Sequence, residues 1–349
     1  MNRIAVFRAL NLGDMLCSMP AFKALRAAFP DSHIALIGLE SAVPVVERNR
    51  DCIDELLVFP GDPAFPEQEV RSGALPEFYR EVATRHFDLI LQMHGSGLHS
   101  NRVVRAMRAR RWAGFVPEEG MAESGRLMPW PDDLPEAQRY LALLEWLGLP
   151  VSQSAKPSFQ LTPADHAEAA RVAQAHGLAP ERTIVVHPGA RLLSRRWPLE
   201  RYAAVAAALV SDGWQVAVTG SPAEQELCTD LRVLTSGAVT DLCGATSLGG
   251  LAAFLSRSRL LICNDTGISH VAASVGTRSV VIASGSDVRR WAPGDARRHV
   301  VLHWDTPCRP CPHAECPYAH PCARAVTVAQ VLGQAGLALE ETASEWAGH

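Results

Sequence analysis

The sequence predicts an α/β protein made of two successive doubly wound parallel sheets. Three observations carry this prediction. Short apolar runs alternate with helical segments along most of the chain, a polar and proline-punctuated stretch from Leu149 to Pro163 interrupts the alternation, and the alternation then restarts. At 349 residues the chain is too long for one ordinary core and suits two. The expected domains are residues 1–155 and 156–330, with a tail over 331–349. Two such units joined by a linker imply a cleft between them, with ligands outside the carboxyl ends of the strands.

In order, RIAVFR at Arg3 is an apolar run of strand length, and a helix from Met15 to Phe29 follows it. Leu16, Met19, Phe22, Leu25 and Phe29 share one face of that helix. Strand HIALIGL, a helix from Val43 to Arg48 and strand ELLVF come next. A helix from Pro76 to His86, strand DLILQMH and a helix from Leu98 to Ala109 continue the series, and the helix EAQRYLALLEWLG closes it. After the linker, strand TIVVH precedes a helix from Leu199 to Val210, and strand WQVAVTG precedes a helix from Glu224 to Leu234. Helix LGGLAAFLSRS leads into strand LLICN, then a helix containing His270, then strand RSVVIAS. Strands alternating with helices of this size form parallel sheets covered on both faces.

Composition excludes several classes. With 48% apolar and 20% charged residues the chain is globular rather than disordered, and a net charge of -4 does not suit a general nucleic-acid binder. The N-terminal MNRIAVFRALNLGDM lacks the long apolar core of a signal peptide, and no apolar stretch approaches a membrane span. A cytoplasmic location is expected, which leaves room for transient contact with the inner membrane surface. Of the nine cysteines, Cys17, Cys52, Cys228, Cys243 and Cys263 stand singly in helix or strand patterns and read as buried thiols.

The chemistry-bearing residues cluster at strand exits. The first strand ends in RALNLGDM, which sets Gly13 and Asp14 at the start of a helix; an aspartate there also suits a helix cap. The first strand after the linker ends in HPGARLLSRRWP. Gly189 allows close backbone approach to a ligand, and Arg195 and Arg196 before a helix N-terminus suit phosphate. The next exit, VTGSPAEQE, places Glu224 where a carboxylate could accept ribose hydroxyls or complement the helix dipole. The fourth, NDTGISH, places Asp265, Thr266, Gly267 and His270 at another helix start. No G-x-G-x-x-G follows a strand, no P-loop is present, and no D-x-D occurs to hold a metal against phosphates. A bound pyrophosphate would be neutralised by arginine and helix dipoles.

The segments LGDMLCSMPAFKALR, HPGARLLSRRWP, TGSPAEQE and NDTGISHVAASVG resemble glycosyltransferase family 9, the ADP-heptose heptosyltransferases, in order from Arg3 to about Val331. The resemblance implies the GT-B architecture, with two Rossmann-like domains facing a cleft, the acceptor in the first and the donor in the second. It implies an inverting transfer of heptose from ADP-L-glycero-D-manno-heptose to an acceptor hydroxyl, of lipopolysaccharide core or of protein. Residue by residue it makes Asp14 the general base and Arg195, where the family often has lysine, a donor-phosphate contact that Arg196 could share. It makes Glu224 the ribose contact, and Asp265, Thr266, Gly267 and His270 the diphosphate and sugar segment. His94, His99, Asn101 and Arg102 follow a strand of the first domain and are candidates to line the acceptor. No cofactor is needed for such catalysis. Two rivals remain: a GT-B enzyme using another nucleoside diphosphate sugar, and a non-catalytic protein that binds nucleotide sugar and assembles through its cysteine loop.

That loop, CRPCPHAECPYAHPC, spaces Cys308, Cys311, Cys316 and Cys322 closely enough for a closed tetrahedral site. Zinc or iron is the natural occupant, with free thiols as the other reading and His313 and His320 as alternative ligands. Cysteine-rich loops that hold a structural metal recur in members of the family that modify autotransporter proteins.

Overall fold

The computed structural model describes residues 1–65, 70, 71, 73–152 and 158–347. The chain divides into two compact units, Met1–Pro157 and Ser158–His349; the expected boundary at 155/156 lies outside the described residues.

In the first unit the elements run β1 (Arg3–Phe7), α1 (Leu12–Ala28), β2 (His33–Gly38), α2 (Val43–Glu47), β3 (Glu55–Val58), α3 (Leu75–Thr84), β4 (Leu89–Gln92), α4 (Ser100–Ala106), β5 (Arg111–Val116), β6 (Leu127–Pro129) and α5 (Glu136–Trp146). All pairings are parallel, in the order β3-β2-β1-β4-β5-β6. Side chains alternate across the pleat, so Ile4 and Val6 pack with Met15, Met19 and Phe22 of α1, while Ala5 and Phe7 pack with Ile37, Phe59, Phe78 and Phe87 on the other face.

The second unit runs α6 (Pro163–Ala175), β7 (Thr183–His187), α7 (Leu199–Ser211), β8 (Gln215–Val218), α8 (Gln225–Leu234), β9 (Thr240–Asp241), α9 (Leu248–Arg257), β10 (Leu260–Asn264), α10 (Gly267–Val275), β11 (Ser279–Ala283), α11 (Val288–Trp291), β12 (His299–His303), α12 (Pro321–Ala325) and α13 (Val328–Ala347). Its sheet is also parallel throughout, in the order β12-β11-β10-β7-β8-β9. The segment expected as a tail from residue 331 belongs to α13. At four-residue spacing its Val331, Ala335 and Leu339 enter the core beside Ile184, Val186 and Tyr202.

Both sheets therefore follow one plan, with strand order reversing between β1 and β4 in the first and between β7 and β10 in the second. Ligands of open α/β sheets bind at that reversal, beyond the carboxyl ends of the two strands. The residues beyond β1 and β4 are RALNLGD and MHGS; those beyond β7 and β10 are PGARLLSRR and DTG.

Eight regular elements lack a counterpart in the sequence: β5, β6, α6, β9, α11, β12, α12 and α13. The linker was expected to end at Pro163, yet Thr162 opens α6 with a reciprocal cap. Its hydroxyl accepts the Asp165 N–H at 3.2 Å while the Asp165 carboxylate accepts the Thr162 N–H at 2.8 Å. In β5, Gly114 is required for space, because a β-carbon there would stand 2.6 Å from that of Gln92 on β4. Among the described residues no helix is long and apolar enough to cross a membrane.

Candidate active site

In the first unit Asp14 lies in the first turn of α1 with its side chain 20% exposed. It is held from beneath by Arg8, the residue after β1, whose side chain is fully buried. Arg8 Nε donates to the Asp14 carbonyl at 2.9 Å, and an Nη2 atom stands 3.6 Å from its carboxylate. Arg8 also donates to the Met93 carbonyl at 2.6 Å, to the Tyr140 hydroxyl, and to Glu136 at 3.2 Å. Glu136 is shared with Arg139 at 3.2 Å. Burial by itself would lower the Arg8 pKa; the negative charge available at Tyr140, Glu136 and Asp14 outweighs it and holds the guanidinium charged. A buried cation that spans the β1 exit, the β4 exit and α5 fixes where Asp14 sits.

His94, beyond β4, is buried and stacks on Phe7 at 5.2 Å with its ring 4.4 Å from that of Phe65. Its Nδ1 accepts the Ala9 N–H at 3.2 Å, which makes the neutral ring the Nε2–H tautomer. Burial, reinforced by Arg8, pushes its pKa down to about 3. Of the other acceptor-side candidates, Asn101 donates to the Phe115 carbonyl at 2.9 Å and Arg102 pairs with buried Asp62, so both have structural partners. His99 is exposed at the start of α4.

In the second unit the donor-side candidates fall around the reversal point. Gly189 and Glu224 meet: a β-carbon on Gly189 would lie 1.9 Å from Glu224 Oε1. The other oxygen, Oε2, accepts the Ser221 N–H and hydroxyl, both at 2.8 Å, in a capping box. One Glu224 oxygen serves the cap and the other faces the glycine turn.

Arg195 sits in a single 3-10 turn, Leu193–Arg195. Its Nη2 donates to the Cys311 carbonyl at 3.1 Å, whereas its buried Nη1 has no hydrogen-bond partner among the described residues. Burial lowers its pKa, opposed by Cys311 and Asp265. A desolvated guanidinium nitrogen with nothing to donate to is costly until an anion arrives. Arg196 instead donates to the Ala190 carbonyl at 2.9 Å and braces the same loop. Thr266 is the N-cap of α10 without a side-chain cap bond, so the leading amides of the helix point outward as a helix N-terminus does. Asp265 and Gly267 flank it at intermediate burial, and His270 is buried one turn on.

Besides Arg8, a second determinant has no counterpart in the sequence analysis. Asn264, fully buried at the end of β10, donates to the carbonyls of Pro188 at 2.7 Å and Gly189 at 3.3 Å and accepts the Trp197 N–H at 2.9 Å. It ties together the HPGA, RRWP and NDTG segments. Its signal was present: a polar side chain ending an otherwise apolar strand.

The cysteine loop folds onto the Arg195 turn. Ser194 donates through its N–H to the Ala314 carbonyl at 2.9 Å and through its hydroxyl to the His313 carbonyl at 2.6 Å, while His320 Nε2 meets the Ser194 carbonyl at 2.9 Å. Cys311 N–H donates to the Gly285 carbonyl at 2.8 Å. Four thiols suit zinc or iron chemically, and a tetrahedral site with bonds of about 2.3 Å needs sulfurs about 3.8 Å apart. As folded here, no three ligand atoms of Cys308, Cys311, Cys316, Cys322, His313 and His320 lie within 4.8 Å of one another. The Cys311 backbone is committed to Gly285 through its N–H and to Arg195 through its carbonyl. The four thiols therefore stay a proposed ligand set for a structural zinc or iron.

Over 97% of its length the chain resembles 98% of the family 9 glycosyltransferase of Veillonella parvula DSM 2008, with a TM-score of 0.79 at 24% identity. It resembles E. coli ADP-heptose lps heptosyltransferase II with a TM-score of 0.74 at 19% identity, over 98% of this chain and 99% of that one. Two Rossmann-like sheets of this order are the GT-B fold, and the protein is a glycosyltransferase. Residues 76–321 match the model of glycosyltransferase family 9 (heptosyltransferase), and the chain belongs to that family. In sequence it is 23% identical over 309 residues to lipopolysaccharide heptosyltransferase 3 of Escherichia coli strain K12, spanning 84% of this chain and 85% of that protein.

Proposed function

We propose that the protein is an inverting, cytoplasmic heptosyltransferase that takes ADP-L-glycero-D-manno-heptose as donor and a lipopolysaccharide-core hydroxyl as acceptor. The observation that carries the donor assignment is Arg195 Nη1, a buried donor without a partner at the reversal point of the second sheet. A diphosphate oxygen would satisfy it. The N-terminus of α10, with the amides of Thr266 and Gly267, supplies further donors for the same anion. Glu224, pressed against Gly189, is the group for the ribose hydroxyls. The relatives named lipopolysaccharide heptosyltransferases support heptose and the lipopolysaccharide core as the sugar and acceptor class.

In the transfer, the acceptor oxygen attacks the anomeric carbon, the bond from that carbon to the β-phosphate oxygen breaks, and ADP leaves. The acceptor proton passes to the Asp14 carboxylate, general-base assistance worth about 10²–10⁴-fold. Charge developing on ADP is met by Arg195 and the α10 amides, so no metal or organic cofactor is required. Asp265 holds a heptose hydroxyl or the cap of α10, and His270 donates to a phosphate oxygen. Arg8 acts through Asp14, holding it in place.

The test is incubation of the purified protein with ADP-heptose and a panel of truncated core acceptors, read by mass spectrometry. Addition of one heptose with release of ADP is expected. Stabilisation by UDP or GDP with none by ADP would replace the donor; ADP binding without donor consumption on any acceptor would leave a nucleotide-sugar-binding protein.

A further inference from the structure

Cys228 and Cys243 stand singly in the sequence, but the fold brings them together with a carboxylate. Cys228 is in the first turn of α8, Asp241 ends β9, and Cys243 follows two residues later. One ligand atom from each lies within 4.8 Å of the other two; among the described residues this is the one such group. Both sulfurs flank the turn after β8: a β-carbon on Gly220 would stand 2.9 Å from Cys228 Sγ, 3.2 Å from Cys243 Sγ and 3.2 Å from Glu224 Cβ.

The carboxylate is already oriented. Asp241 Oδ1 accepts the Cys243 N–H at 2.8 Å, and Oδ2 accepts from Gln225 Nε2 at 3.0 Å. Among the described residues no Lys, Arg or His forms an ion pair with Asp241. Two thiols and an oriented carboxylate, with a second carboxylate on Glu224 beside the same turn, make a cluster of donor atoms.

We propose that Cys228, Asp241 and Cys243 form a three-ligand site for a thiophilic divalent cation of the zinc class. Two sulfurs and one oxygen exclude magnesium, calcium and manganese, which take oxygen ligands. Bonds of about 2.3 Å to sulfur and about 2.0–2.2 Å to oxygen require the three atoms to close by about an ångström or less. Each thiol gives up its proton as its sulfur–metal bond forms, so two protons are released per cation. Cys228 is fully buried, whereas Cys243 and Asp241 are partly exposed, so the fourth position faces the solvent side. Bound there, the cation would join the start of α8 to the turn after β9, across the Gly220 turn that carries Glu224. The site is distinct from the loop of Cys308 to Cys322 and does not depend on the proposed reaction.

The test uses the reduced, full-length protein, stripped of metal by chelation and titrated with Co²⁺ alone. Thiolate-to-cobalt charge-transfer absorption reports sulfur ligation, and a pH indicator counts protons. Comparison of the natural chain with Cys243→Ser isolates this site whether or not the loop of Cys308 to Cys322 also binds metal. The expected difference is one cation per chain with its charge-transfer band, and Gln225→Ala, which frees Asp241, should weaken that component about 10–100-fold. A variant with serine at all four loop cysteines should retain the band. If it fails to fold, the comparison of the natural chain with Cys243→Ser decides alone. Identical absorption and stoichiometry in the natural chain and Cys243→Ser would overturn the site.

Discussion

Gly189→Ala tests the ribose contact by steric means, without touching a charge. The added methyl would stand 1.9 Å from Glu224 Oε1, 2.5 Å from its Cδ and 3.0 Å from Oε2. Ordinary contact needs about 3.4 Å or more, so the carboxylate must swing away by more than an ångström. The obstruction is the end of a flexible side chain rather than backbone, which makes the change tolerable for the fold. Its cost is the capping box: two bonds of 2.8 Å from Ser221 are lost, about 0.5–2 kcal/mol. On the functional side, a hydrogen bond to a charged group contributes about 1.5–3 kcal/mol. Loss of one such bond to the ribose predicts ADP binding weaker by about 10- to 150-fold. Calorimetric titration of ADP into Gly189→Ala, Glu224→Ala and the double variant reads the effect. Because both single changes remove the same contact, the double variant should bind ADP no more weakly than Glu224→Ala alone. Affinity within about twofold of the natural protein in Gly189→Ala, or effects that add in full, would refute the role of Glu224.

Asp14→Asn should lower the rate of heptose transfer about 10²–10⁴-fold while leaving ADP affinity unchanged; parallel loss of both in transfer assays and titrations would make Asp14 structural. Arg195→Ala removes the buried orphan donor and should weaken ADP about tenfold or more while barely changing adenosine binding; equal effects on the two ligands would place the diphosphate elsewhere. The third concerns acid stability. His94 and His299 have folded pKa values pushed by burial down to about 3 and about 4, against an ordinary 6.5. Below about pH 6.5 the unfolded chain takes up protons that the native rings refuse, so stability is lost as pH falls. The slope is about 1.4 kcal/mol per pH unit for each ring, down to about pH 3 and pH 4 respectively. His94→Gln should remove one proton's worth of that slope in urea unfolding between pH 4.5 and 6; an unchanged slope would show that His94 is protonated in the native protein.

The parts of this protein that were readable in its sequence are those set by local chemistry. A strand exit can be recognised because an apolar run ends in glycine, proline or a polar residue, and in a doubly wound sheet exits are where ligands bind. That logic reached the segments around Asp14, Gly189, Glu224 and Asp265 without coordinates. It could not reach what holds them. Asn264 bonds to Trp197, 67 residues away, and to Pro188, 76 residues away, and Arg8 bonds to Tyr140 across 132 residues. In each case one side chain satisfies buried backbone or charged groups from segments distant in sequence, and no spacing rule encodes such a partner. β5 was hidden for a related reason: it begins with exposed Arg111 and carries Gly114, which looks like a strand breaker until Gln92 of the neighbouring strand is seen to need the room. The cysteines show the same limit from the opposite side. Crowding in sequence marks Cys308 to Cys322 as a metal loop, but nothing in the spacing marks Cys228 and Cys243, which stand fifteen residues from each other by number and are brought against one glycine by the β8–α8 and β9 turns. Proximity along the chain sets how often thiols can meet in the unfolded state; only the hydrogen-bonded turns of the folded sheet decide which of them do.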